Sequence, residues 1–389
     1  MIRNRAFVAV ITFVSLGLLG LTFAFIGASL PAMKAFFRIN LRQAGLISAV
    51  LQLGFAITCF LGGIVSDFVR KDRLLSLGTI LLGAGTLLIA RWENFGLNCF
   101  ILAVMGIGCG FLFISSNTLV VEIFPDRRGT YLNIHHFFFA IGSLIGPLII
   151  GYLLSKELKW QVAYRYQGVC SLVIALFFLL TDVHETRLNT FKKTKELWSM
   201  LSGKNFLPLM LLGFFAIGIQ FSIMYLLVIY LKDVRGLSVS YASILLSVFF
   251  ILLAIGRLLC SVLVLRISQR KLILFLLLSL SALLWAGWLT PSLSSGSVLA
   301  LTGLACSGLM PVLLSMTSMI LDSKYMGTAL GFLAMCGGLG GMTITYLTTA
   351  ISQRVGLRLG FGLVVAVAFL TLLYYLMIQR RYRTEEQIN

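Results

Sequence analysis

The chain has 389 residues, of which 59% are hydrophobic and 11% charged; 31 Lys and Arg against 13 Asp and Glu give a formal net charge of +18. Soluble domains are roughly 45–50% apolar and about 25% charged, so the composition excludes a soluble globular protein, and equally a disordered or collagen-like chain. A membrane-spanning helix takes about 20 apolar residues; twelve of them with short connections use nearly the whole length and leave almost nothing for a water-soluble domain. The basic excess then marks connections on one side of a membrane rather than a nucleic-acid surface.

In chain order the apolar runs predict spans at 7–31, 42–66, 74–91, 97–121, 130–154 and 162–181, then at 207–231, 240–265, 271–290, 298–320, 327–350 and 360–379. Arg3 and Arg5 precede the first run, but a second span follows at once, so the first is read as a retained helix rather than a cleaved leader. The breaks at 66–73, 122–129, 156–160, 232–237, 291–296 and 322–326 are charged or turn-forming. The one long connection, 182–206, carries Arg187, Lys192, Lys193, Lys195 and Lys204. It divides the chain into an N-terminal bundle at 1–181 and a C-terminal bundle at 207–389, six spans each. About 19 Lys and Arg fall on the side of the two termini and about 11 on the other, with Arg257 inside a span. That bias predicts a multi-pass protein of the cytoplasmic membrane with both termini in the cytoplasm. The seven cysteines sit in or beside apolar runs without paired spacing, so neither a disulfide framework nor a metal site is expected.

The halves repeat at an offset near 198. Gln43-Ala44-Gly45 opens span 2 as Tyr241-Ala242-Ser243 opens span 8; Glu122 and Asp322 end spans 4 and 10; Gly129-Thr130 and Gly327-Thr328 start spans 5 and 11. Such a repeat points to two bundles with a solute site between them near midplane. The loop after span 2 has Gly63, Asp67 four residues on, and the basic residues Lys71 and Arg73. It resembles the signature loop of the major facilitator superfamily, with Phe68 where a basic residue is usual and Arg70 where glycine is usual. The second-half loop keeps Arg266, Arg270 and Lys271 but has Leu265 in place of the aspartate. The resemblance implies an all-α integral membrane protein, twelve transmembrane helices in two pseudo-symmetric six-helix bundles, with Asp67 facing the positive N-terminal end of span 11 as a latch.

Within that superfamily, spans 4 and 5 are similar to the fucose-permease-like sugar transporters, on Asn117, Glu122, Asn133, His135, His136, Phe139, Gly142, Gly146 and Pro147. The fucose permease has acids in spans 1 and 4 and amides in span 5. The matching positions here are Gly27 and Phe113, and His136 and Phe139, which makes the expected cavity more aromatic and less acidic. Gly142, Gly146-Pro147 and Gly151 also resemble the glycine-and-proline signature of drug–proton antiporters, one residue off in spacing, although small residues four apart equally serve close helix packing.

All 13 acids fall in loops or at span ends, so His135, His136 and Arg257 are the ionisable groups set within spans that stand out as functional candidates. The histidines are the candidates for carrying a proton. Arg257, expected to pair with Glu122 or Asp322, is placed with Asp67, Lys71 and Arg73 in a gate. Spans 1, 4, 7 and 10 surround the cavity in the superfamily, which implies substrate contacts from Phe113, Ser116, Asn117, His136, Phe139, Gln220, Tyr225 and Ser315; the repeat matches Gln220 with Thr22. No P-loop is present, so no ATP is used. The expected function is a secondary active transporter for a small organic solute, sugar-like or amphipathic, working by alternating access, with proton coupling the default for the class. The alternatives are a drug or lipid exporter or flippase, or a uniporter, and remotely a membrane-embedded enzyme, which lacks the acid its histidines would need. No cofactor and no nucleic acid is expected; the partners are the solute, the bilayer and protons, with the chain a monomer.

Overall fold

The structure is a computed structural model and describes residues 5–65, 69–181, 206–291, 294–320 and 326–388. Its helices are α1 (Arg5–Phe36), α2 (Leu41–Val65), α3 (Lys71–Leu88), α4 (Phe95–Ile123), α5 (Arg128–Ser155), α6 (Gln161–Leu180), α7 (Phe206–Arg235), α8 (Val239–Leu263), α9 (Gln269–Leu289), α10a (Ser294–Cys306), α10b (Leu309–Ile320), α11 (Met326–Val355) and α12 (Leu357–Ile388). Among the described residues, eleven helices are long and apolar enough to cross a membrane, with α10 counted across its break. The remaining one, α3, opens on Lys71, Asp72 and Arg73, whose charge dilutes an otherwise apolar segment. Helices satisfy every interior backbone N–H and C=O within the segment, which is why a chain in lipid takes this form.

Short polar signals set the ends. The side chains of Asn94, Ser238 and Ser268 accept hydrogen bonds from the backbone N–H three residues on, capping α4, α8 and α9. Beyond the ends of α1 and α7, Arg38 and Gly236 both have positive φ, +52° and +70°. They lie 198 residues apart, so the sequence repeat is also a repeat of backbone conformation. Six helices form each bundle. α3 packs on α4 and α6 in one, and α9 packs on α10a and α12 in the other.

Two expectations change. Span 10 is not one helix: it stops at Cys306 and restarts at Leu309. Pro311, at the third position of α10b, has no N–H to return to the Ser307 carbonyl. A Cβ at Gly308 would meet Cys260 and Leu276, so the break packs against α8 and α9. By contrast Pro31 and Pro147 lie within unbroken α1 and α5. Spans 1, 11 and 12 also run further than hydropathy suggests, because their polar ends continue as helix.

The bundles meet through α1–α7, α2–α11 and α5–α8. With an even number of spans the two termini share one face of the protein, here called the terminal face. At the opposite face Lys34 Nζ lies 3.7 Å from Asp233. The Leu41 N–H donates to Gln353 Oε1 at 2.9 Å, and Arg42 Nε donates to the Tyr346 hydroxyl at 2.8 Å. Ser247 Oγ donates to the Leu144 carbonyl at 2.9 Å. Small residues allow this approach: a Cβ on Gly27 would overlap the Met224 carbonyl, one on Gly45 the Thr349 hydroxyl, and one on Gly151 would press on Ser243.

Candidate functional site

Where the bundles meet, four helices of the first and one of the second contribute aromatic rings. Phe23 of α1 is at the centre, with ring centroids 5.4 Å from Phe55 of α2, 6.4 Å from Phe139 of α5 and 5.7 Å from Phe221 of α7, all edge-on. Phe55 continues to Phe113 of α4 at 5.7 Å, and Phe113 to His136 of α5 at 6.3 Å. Edge-to-face pairs at these separations hold their geometry beyond what area alone provides. Phe221 and Tyr225 share one face of α7, stacked at 6.2 Å.

Polar groups around this cluster lack partners. Gln52, one turn before Phe55, is fully buried, and neither its Oε1 nor its Nε2 is hydrogen-bonded. Tyr225 is fully buried and its hydroxyl is also unpaired. Buried polar atoms are almost always satisfied, so two such side chains beside an aromatic junction of the bundles mark a place suited to a ligand with hydroxyl or amide groups.

The expected site residues divide. Phe113, His136 and Phe139 belong to the cluster, and Tyr225 adjoins it. Gln220 is 9% exposed, one position before Phe221. Thr22, its repeat counterpart, is tied up inside the first bundle, its hydroxyl donating to the Leu18 carbonyl at 2.8 Å and accepting from Gln167 Nε2 at 2.5 Å. The repeat pair that does meet is Phe23 with Phe221. Ser116 and Asn117 are buried and both donate to the Phe113 carbonyl, at 3.1 and 2.7 Å. Ser315 accepts from Gln269 Nε2 at 2.7 Å and is not among the ring contacts of the cluster. His135 is fully buried beside Phe13 and His136, both ring centroids at 5.7 Å, and neither ring nitrogen has a hydrogen-bond partner.

At the terminal face the expected gate is rearranged. Asp67 and Asp322 lie outside the described residues. Glu122 at the end of α4 pairs with Lys71 at the start of α3, 2.8 Å apart, and not with Arg257, because α3 and α4 are neighbours in one bundle. Arg70 grips the buried Asp72 with two nitrogens, Nε to Oδ1 at 3.1 Å, and Asp72 Oδ1 accepts the Arg73 N–H at 2.9 Å while Arg73 is exposed. Sequence reasoning missed Asp72, Gln52, Phe23, Phe55 and Phe221. The 198-residue offset that joins Phe23 to Phe221 was the available signal for that pair; nothing in a local pattern marks the others.

Two six-helix bundles around an aromatic, partly unsatisfied junction define a polytopic membrane protein with an aromatic contact zone between its halves. The chain belongs to the Major Facilitator Superfamily, whose family model matches residues 12–301 and 242–388. It is 23% identical over 190 residues to a protein named TsgA homolog of Buchnera aphidicola subsp. Baizongia pistaciae, covering 49% of each chain. It spans about half the length of the first curated relatives it matches. In fold it is similar to a D-xylose–proton symporter, with a TM-score of 0.78 and 15% identity over 96% of this chain and 97% of that one. It is also similar to the E. coli fucose:proton symporter, with a TM-score of 0.69 and 17% identity over 96% and 99%.

Proposed function

We propose that this protein carries a small organic solute across the membrane by alternating access, with the solute held at the aromatic junction of the two bundles. The observation that carries the reading is that junction: Phe23 and Phe221, one from each bundle, are in ring contact beside Gln52 and Tyr225, whose polar atoms are unpaired. A solute there touches both bundles, so its binding responds to how they are tilted. The similar folds named as xylose and fucose symporters support a sugar-like solute, and the fucose-permease-like motifs of α4 and α5 agree. The ring content of the cluster favours a solute with an apolar face, the amphipathic reading. A thermal-unfolding screen over sugars, drug-like amphiphiles and lipids tests this, followed by counterflow of the stabilising compound in proteoliposomes. A compound that stabilises the protein and exchanges across the vesicle membrane is the expected result; one that binds but never crosses makes the protein a receptor instead.

The two bundles, 1–181 and 207–389, rock about this point, with the 182–206 connection on the cytoplasmic side along with both termini. The Lys and Arg bias supports that orientation. In a cysteine-free background, Lys193→Cys in sealed cells is expected to resist an impermeant thiol reagent applied outside; rapid labelling reverses the orientation. The Lys71–Glu122 pair belongs to the cytoplasmic gate, to which the sequence pattern also assigns Asp67, Arg73, Arg257 and Asp322. His136 is the proton carrier of a coupled cycle: it lies at the edge of the aromatic cluster against Phe113, and among the described residues no carboxylate pairs with it. The chain acts as a monomer in the cytoplasmic membrane and not as an enzyme.

A further inference from the structure

Charge balance fails at Arg257. It lies on the inward face of α8: Leu253 and Phe250, one and two turns earlier, are each 1% exposed, whereas its neighbours Ile255, Leu258 and Leu259 are turned outward toward lipid. The guanidinium therefore points into the protein rather than out to a headgroup. Its Nε is buried without a hydrogen-bond partner, and among the described residues no carboxylate pairs with it. Of the two acids expected there, Glu122 is held by Lys71 and Asp322 lies outside the described residues.

Register locates what Arg257 faces. α5 and α8 run antiparallel, with Gly151 against Ser243 and Leu144 bonded to Ser247. Carried on toward the terminal face, that pairing sets His136 opposite residues 255–258. The Arg257 guanidinium is indeed within electrostatic reach of the His136 ring. His136 in turn touches Phe113, the outer ring of the central cluster. A cation, an imidazole and a run of phenyl rings thus follow one another from α8 to α7 through the junction. A half-buried guanidinium whose Nε is buried and unpaired, with no carboxylate among the described residues, is costly, and the cost falls when an anion binds. Arginine holds a planar carboxylate with two parallel hydrogen bonds, and a carboxylate carrying an apolar body suits a cation set beside a run of phenyl rings.

We propose that the solute is an organic monoanion whose carboxylate is bound by Arg257, with His136 beside it and the apolar body lying against Phe113, Phe55, Phe23 and Phe221. This rests on the reading of the aromatic junction as the solute site. It adds a substrate class that the neutral sugars of the structural neighbours do not suggest.

Matched probes test it on the full chain in a neutral detergent. Thermal unfolding is followed with phenylacetate against phenylacetamide, with glucuronate against glucose, and with inorganic phosphate. The expected result is that a carboxylate member raises the melting temperature while its neutral partner and phosphate do not. In Arg257→Gln the half-saturating concentration of that carboxylate should rise at least tenfold. Arg257→Lys, which keeps the charge but not the fork, should fall between the two and serves in place of the glutamine variant if that one does not fold. Equal shifts within each pair, no shift from either carboxylate, a shift from phosphate as large as theirs, or a variant that responds like the wild type each overturns the anion. Stabilisation by phenylacetamide or glucose alone also overturns it while leaving a transported neutral solute standing. Absence of counterflow for a carboxylate that does bind through Arg257 would instead remove the transport reading and keep the anion site.

Discussion

Gly27→Val is expected to open the face opposite the termini without unfolding the protein. Gly27 of α1 lies so close to α7 that a Cβ would overlap the Met224 carbonyl, and Tyr225 Cα is next in line. Inserting side-chain volume into a packed contact costs about 1–3 kcal/mol. Where the two surfaces belong to separate bundles, that cost is avoided by moving apart. The same energy changes an equilibrium about 5- to 150-fold. An Asp233→Cys reporter at the opposite face should therefore react faster with an impermeant thiol reagent by a factor in that range. Gly142→Val is the contrasting control. Its Cβ would overlap the Gly17 carbonyl, but α1 and α5 lie in the same bundle and have no rocking motion with which to relieve the clash. It should lower the melting temperature and leave reporter labelling of the surviving folded protein unchanged. Unaltered labelling in folded Gly27→Val would show that the α1–α7 contact does not open.

The second large effect is on coupling. Of the described acids at the terminal face, Glu122 pairs with Lys71, Asp72 pairs with Arg70 and Asp126 is exposed in the turn after α4, so a proton carried within the bundles with solute needs a histidine. His136, at the edge of the aromatic cluster and half-buried, is placed to exchange one. His135, fully buried beside Phe13, is not in ring contact with the cluster except through it. Accumulation of solute in proteoliposomes should follow an imposed pH gradient, and His136→Gln, which hydrogen-bonds but cannot titrate, should abolish accumulation while downhill exchange continues at a reduced level. Gradient-driven accumulation equal to wild type in this variant would refute the carrier role. If neither protein accumulates solute but both exchange it downhill, the protein is a uniporter.

How much of this was legible in the residues differs by level. Hydropathy located all twelve helices, eleven of them long and apolar enough to cross a membrane, since in lipid an apolar run of sufficient length has to be a helix. It missed the interruption of span 10, because Ser307, Gly308 and Pro311 are individually tolerated in membrane helices, as unbroken α1 and α5 with Pro31 and Pro147 demonstrate. Of the proposed contacts, Phe113, His136 and Phe139 fall in the central cluster because the family resemblance carried rotational information about α4 and α5. Ser315 does not, since its position on span 10 was known but not the face it turns, and Gln269 of α9 takes its hydroxyl.

The residues by themselves determined the class of protein, the number of spans, the six-and-six division and the offset of the repeat. These depend on quantities summed along the chain: apolar length, charge at the breaks and the recurrence of boundary signals. Tertiary structure alone decided that Phe23 meets Phe221, that Gln52 and Tyr225 are left unpaired beside them, that Lys71 takes Glu122, and that the buried Nε of Arg257 has no hydrogen-bond partner and no carboxylate among the described residues. Each of those depends on which helices become neighbours and how each is rotated about its axis. In a chain whose helices are apolar on nearly every side, no hydrophobic stripe announces that rotation; it is set by where small residues such as Gly27 and Gly151 let two backbones close, a fact about pairs of segments far apart in sequence.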